Sequence, residues 1–149
     1  MKRLATITLL MVALITLTAC APKVEDINAV VNSFMDHWRA GDAAKMAALM
    51  TNEVEYGLII PDYAFTESLS NPPASKGLPA DELTEALAEE DMTVNLTITK
   101  TEAFGDYAVV TGSYVDSVDP DTKGIMYFHL VNTDDGWKIR LIALSPDDL

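Results

Sequence analysis

Cysteine is all but missing. Cys20 is the only one in 149 residues, so the chain forms no internal disulfide and has none of the paired thiols of a redox or zinc motif. Histidine is nearly as scarce, with His37 and His129 alone, and two imidazoles offer too few good ligands for a zinc site. Basic residues number 10 against 23 acidic ones, a formal net charge of −13. That field repels nucleic acid and anionic headgroups, and no basic cluster offsets it. There is no phosphate-binding glycine loop and no glycine-flanked nucleophilic serine. No apolar run reaches the ~20 residues that a membrane-spanning helix needs. Composition therefore points to no metal, no cofactor and no nucleic-acid partner.

What is present begins at the first residues. Met1-Lys2-Arg3 precede an apolar stretch from Leu4 to Thr18, and Leu17-Thr18-Ala19-Cys20 follow. Two cations before such a stretch are the start of a secretory signal, and a small residue before the cysteine resembles the lipobox of bacterial lipoproteins. Residues 1–19 are expected to be a cleaved signal peptide, and 20–23 an acylated N-terminus with a short spacer. Cys20 would carry acyl chains such as palmitate. Each buried methylene adds roughly 0.8 kcal/mol and stable anchoring takes more than one chain, so membrane attachment through Cys20 is expected to be permanent. Ala21 stands where an aspartate would argue for the inner membrane. The expected place is thus the cell envelope, at the outer membrane facing the periplasm. Cleavage removes Lys2 and Arg3 and no acid, leaving eight cations against twenty-three acids, a net −15. A domain so acidic is expected to stand off the membrane on its tether.

Residues 24–149 are long enough for one core. Val24, Ile27, Val30, Val31, Phe34, Met35 and Trp38 recur at helical spacing, and Ala40-Gly41 ends that helix. Asp42 caps a second, shorter helix carrying Met46, Ala47, Leu49 and Met50. From Val54 the period becomes two, through Tyr56, Leu58 and Ile60 to Pro61. A loop over 68–77 follows, then a helix from Leu78-Pro79 to Glu89 with proline in its first turn. Four strands complete the chain: from Met92, over Tyr107–Ser117, over Ile125–Val131 and over Trp137–Leu144, joined by turns at Gly105-Asp106, Asp119-Pro120 and Asp134-Asp135-Gly136. Helices followed by a meander of long strands predict an α+β fold.

The order and the residues resemble the nuclear-transport-factor-2-like superfamily, the SnoaL-like and ketosteroid-isomerase cone. The resemblance lies in Val30-Val31 through Phe34, Ala40-Gly41-Asp42, Ala47-Ala48-Leu49-Met50, Lys76-Gly77-Leu78, Val110-Thr111-Gly112-Ser113-Tyr114 and Gly136-Trp137-Lys138-Ile139. It implies a curved antiparallel sheet wrapped around a long N-terminal helix, with a conical pocket open at one end and pairing of two copies through the outer sheet face. Such a cone hosts isomerases, dehydratases, cyclases and plain binding modules, so the fold alone implies no reaction. The isomerases' tyrosine oxyanion donor falls on Phe34, their catalytic carboxylate on about Leu58, and their protonated aspartic acid on or near Tyr127. Two of the three roles are missing.

The residues left for chemistry are few. His129 is in phase with Ile125, Tyr127 and Val131. If that face is concave, the imidazole and the Tyr127 phenol point into the pocket, as a general base and its partner, as polar groups of the pocket, or as a histidine satisfied by a neighbour. Phe34, Trp38, Tyr56 and Tyr114 are the other candidates for a pocket lining, with core packing as their alternative. Asp116, Asp119 and Asp121 gather at a proline turn whose own chemistry accounts for them. Three functions follow as expectations: a lipid-anchored domain binding a small apolar ligand without catalysis, a proton-transfer enzyme using His129 and Tyr127, and a dimerising assembly module.

Overall fold

The computed structural model describes residues 23–58, 77–89 and 93–147. Cys20, the signal segment, Ile60, Pro61 and most of the loop read over 68–77 lie outside them. Helix α1 (Val24–Arg39) buries Ile27, Val31, Phe34, Met35 and Trp38, one stripe of an amphipathic helix. Glu25 and Asp26 in its first turn and His37 and Arg39 in its last suit the helix dipole. It ends where Gly41 takes φ 64°, a left-handed value that a glycine adopts without penalty. Asp42 then accepts the Lys45 backbone N–H at 3.2 Å and pairs with Lys45 Nζ at 2.7 Å, capping α2 (Ala43–Ala48). The Lys45 side chain and N–H hold the Asp42 carboxyl below its ordinary value of 3.8.

Six strands form one sheet: β1 (Met50–Leu58), β2 (Leu78–Pro79), β3 (Val94–Phe104), β4 (Tyr107–Asp116), β5 (Lys123–Thr133) and β6 (Gly136–Pro146). Helix α3 (Ala80–Ala88) follows β2 directly. Pro79 is its N-cap and pairs with Glu53 of β1, one residue ahead of the first-turn place expected. The order across the sheet is β2-β1-β6-β5-β4-β3. One expectation fails here: the sheet is mixed rather than antiparallel throughout, because β1 lies parallel to β6. The last strand thus enters the sheet beside the first.

One face of this sheet packs on the helices. Val54, Ile142, Phe128 and Val110 are all fully buried and lie on neighbouring strands, with Phe128 opposite both Ile142 and Val110. The Phe34 ring meets Trp38 edge-on at 5.7 Å and Phe128 at 6.2 Å. Trp38 Nε1 donates to Leu87 O at 2.9 Å, tying α1 to α3. Near the start of α1, the Thr101 hydroxyl donates to Asn28 Oδ1 at 2.6 Å, fixing the helix to β3. Met46, Met126, Leu130 and Ile139 complete an interior without exposure to solvent beyond 1%. Two glycines permit the curvature. A Cβ on Gly112 would stand 2.6 Å from Leu96 Cδ1, and one on Gly124 would overlap the backbone of Ser145 and Pro146.

Candidate functional site

Alternation along β5 assigns its two faces. Gly124, Met126, Phe128 and Leu130 are buried against the helices, while Ile125, Tyr127, His129 and Val131 stand on the other side. The face bearing His129 and Tyr127 is therefore the outer one, and neither side chain points into the cone. This corrects the expectation that their face is concave. The physical reason is volume: Met126, Phe128 and Leu130 supply more apolar bulk than the alternate set, and burying them excludes more water-exposed area.

On the outer face, one cross-strand row runs Glu55, Leu141, His129, Val109 and Glu102. At this row β6 carries one extra residue, since Leu141 faces His129 while Ile139 faces Leu130. Arg140 is that residue, and the bulge brings it out beside the row. It also explains why Ile139 and Ile142, three apart, are both fully buried. A cleft of about 260 Å³ results, lined by Glu55, Tyr107, Val109, His129, Val131, Arg140 and Leu141 among others. Although the His129 residue is exposed, loss of water around its ring lowers its pKa from the ordinary 6.5. Nearby Glu55 acts to raise it and Arg140 to lower it further. Leu141 separates the His129 and Glu55 strands, so their backbones lie two strand spacings apart, about 10 Å. No hydrogen bond or ion pair joins His129 to either charged neighbour among the described residues. This arrangement holds a neutral imidazole, a cation and an acid around an apolar floor.

The other candidates separate. Phe34 and Trp38 are interior packing residues, and Tyr114 is buried on the helix-facing side of β4. Tyr56, 42% exposed, lies opposite Ile142 at the far end of β1. These four lie apart from the His129 face. The Asp116 carboxylate accepts the Val118 and Asp119 N–H groups at 2.7 and 3.2 Å and the Thr93 hydroxyl at 2.8 Å. Those three bonds hold it below the ordinary 3.8, the Val118 N–H most strongly, and make it a turn residue. Sequence reasoning did not select Glu55, Val109 or Leu141. Only strand register brings them to His129, and a bulge leaves no sequence signature that would fix that register in advance.

No family model matches the chain, and no curated protein matches it either. Solved structures do. An NTF-2-like protein of unknown function from Shewanella oneidensis is 20% identical with a TM-score of 0.58, over 81% of this chain and 97% of that one. An NTF2-like protein of unknown function from Methylobacillus flagellatus is 19% identical at TM-score 0.56, over 85% and 96%. A ketosteroid isomerase-like protein from Erwinia carotovora atroseptica is 18% identical at TM-score 0.54, over 85% and 97%. At such identities the likeness establishes an NTF2-like fold and nothing finer.

Proposed function

We propose that this chain is a lipid-anchored accessory domain of the bacterial envelope, non-catalytic, that binds through the outer face of its sheet. One observation carries the reading. On the helix-facing side Phe34, Phe128, Met126 and Ile142 are each without solvent exposure, while a cleft among the described residues with exposed polar groups lies on the opposite side around His129 and Arg140. An apolar body would rest on Val109, Val131 and Leu141, and Arg140 would orient an acidic group. The lipobox at Leu17-Thr18-Ala19-Cys20 supports the anchor.

Native mass spectrometry of the protein released in detergent tests this. A bound molecule that is lost in Arg140→Ala, with the fold intact, supports the cleft as the site. A molecule retained by Arg140→Ala but lost in Tyr114→Phe would return the site to the cone. A second reading is a homodimer through the same face, favoured by Val115 and Ile125, which are 42% and 37% exposed there. A mass of two chains that reverts to one in Ile125→Glu supports that reading.

A further inference from the structure

The most exposed aromatic side chains among the described residues are neighbours. Phe104 ends β3 and Tyr107 begins β4; they face each other across the Gly105–Asp106 turn and are 64% and 60% exposed. Val131 follows in register beside Tyr107 on the outer face. Two large rings held open at the tip of a hairpin gain nothing for the core, and an aromatic pair with one phenol suits a surface that is apolar on one side and wet on the other.

The place of this tip relative to the N-terminus gives it an occupant. Asn28, one helical turn into α1, is bonded to Thr101, three residues before Phe104. Helical rise and strand rise then put the start of α1 and Phe104 roughly 25 Å apart at most. Val24, the first helical residue, is itself 42% exposed. Only Ala21 and Pro22 separate Lys23 from Cys20, a reach of about 10 Å even when fully extended. A lipid anchor on Cys20 would therefore keep the β3–β4 tip within about 35 Å of the bilayer surface and able to reach it.

We infer that the Phe104–Tyr107 tip is a second membrane contact, seating its rings in the interfacial region of zwitterionic phospholipid. This rests on the anchor reading above. Charge selects the lipid. Asp106 lies in the turn itself, and Asp134 and Asp135 lie in the adjoining β5–β6 turn, which bonds to it through Asn132 N–H and Asp106 O at 2.8 Å. Of the lysines on the neighbouring strands, Lys100 pairs with Glu102 at 2.9 Å and Lys138 donates to Ala48 O at 2.6 Å. Contact is thus expected to weaken as anionic lipid is added and to recover with salt, which screens the repulsion. The domain would lean on one corner of the sheet, and because Tyr107 and Val131 also line the His129 cleft, that cleft would open at the edge of the membrane contact.

The test uses the acylated protein reconstituted in phosphatidylethanolamine–phosphatidylcholine vesicles. Tryptophan replaces either Phe104, or Val115 at the opposite end of the outer face, and emission is read as the difference from the unsubstituted protein. Phe104→Trp should shift to the blue on reconstitution and be quenched several-fold more by brominated acyl chains than Val115→Trp. Equal quenching of the two, or none, overturns the contact. A blue shift already present in detergent together with a doubled native mass also overturns it, in favour of a second copy on the tip. Because both side chains are exposed, the substitutions leave the core intact; near-ultraviolet circular dichroism checks this. A mature protein whose mass lacks acyl chains removes both the anchor and the tip contact, whereas an acylated protein with an unquenched Trp at 104 removes the tip contact alone.

Discussion

Removing the Phe34 ring takes away the edge-on contacts to Trp38 and Phe128 together. Phe34→Ala should destabilise the domain by about 3–5 kcal/mol, as truncations of fully buried aromatics do, read from urea unfolding. The Phe34 ring has no hydroxyl, so the oxyanion-donor role that the resemblance would place there is missing at this position. His129 gives a prediction of the opposite kind. Its folded pKa lies below its unfolded 6.5, so the folded state binds fewer protons in that window. Stability from this residue is complete above about 6.5, the ordinary histidine value. It is lost as pH falls from there through the folded value. In His129→Gln the slope of stability against pH should flatten between neutral and mildly acidic conditions. An unchanged slope would assign that dependence to other groups.

At the scale of elements, the helices were legible because their signals are local: the α1 stripe from Ile27 to Trp38, Gly41 and the Asp42 cap do in the fold what their spacing predicts, whereas Val24 is exposed and the second helix stops at Ala48, leaving Met50 to β1. The strands were legible as strands, but β5 did not reveal its facing. Both of its alternate sets are apolar, Ile125, Tyr127 and Val131 against Met126, Phe128 and Leu130, so period two gives the repeat without its phase. The candidate site depended on that phase, and so its cone placement failed. Parallel pairing of β1 with β6 was hidden for another reason, since no turn links those strands and turn residues mark only sequential neighbours. Close strand approach is testable at Gly124. A methyl group there meets the β6 backbone, which cannot rotate away, so Gly124→Ala should cost about 1–3 kcal/mol, seen as a lower thermal midpoint. Gly136→Ala, with open space around it but φ 98°, would be strained by its backbone alone.

Over the whole molecule, the proposed function divides between a tether and a surface. If Cys20 is the tether, Cys20→Ser should leave the protein unprocessed or soluble in the periplasm on fractionation, and normal acylated processing of that variant would end the anchor reading. The parallel pairing of β1 and β6 has a further consequence, in time rather than space. Met50 aligns with Ile139 and Leu58 with Leu144, so strands separated by more than half the chain must meet before the sheet can close. Contacts between such distant segments make folding slow. They also make it indivisible, because a chain synthesised N-terminus first cannot complete this sheet until β6 has emerged. Until then β1 has only the two-residue β2 as a partner among the described strands, and its other edge is open to other chains. The emergence of β6 would decide when the domain becomes safe from aggregation.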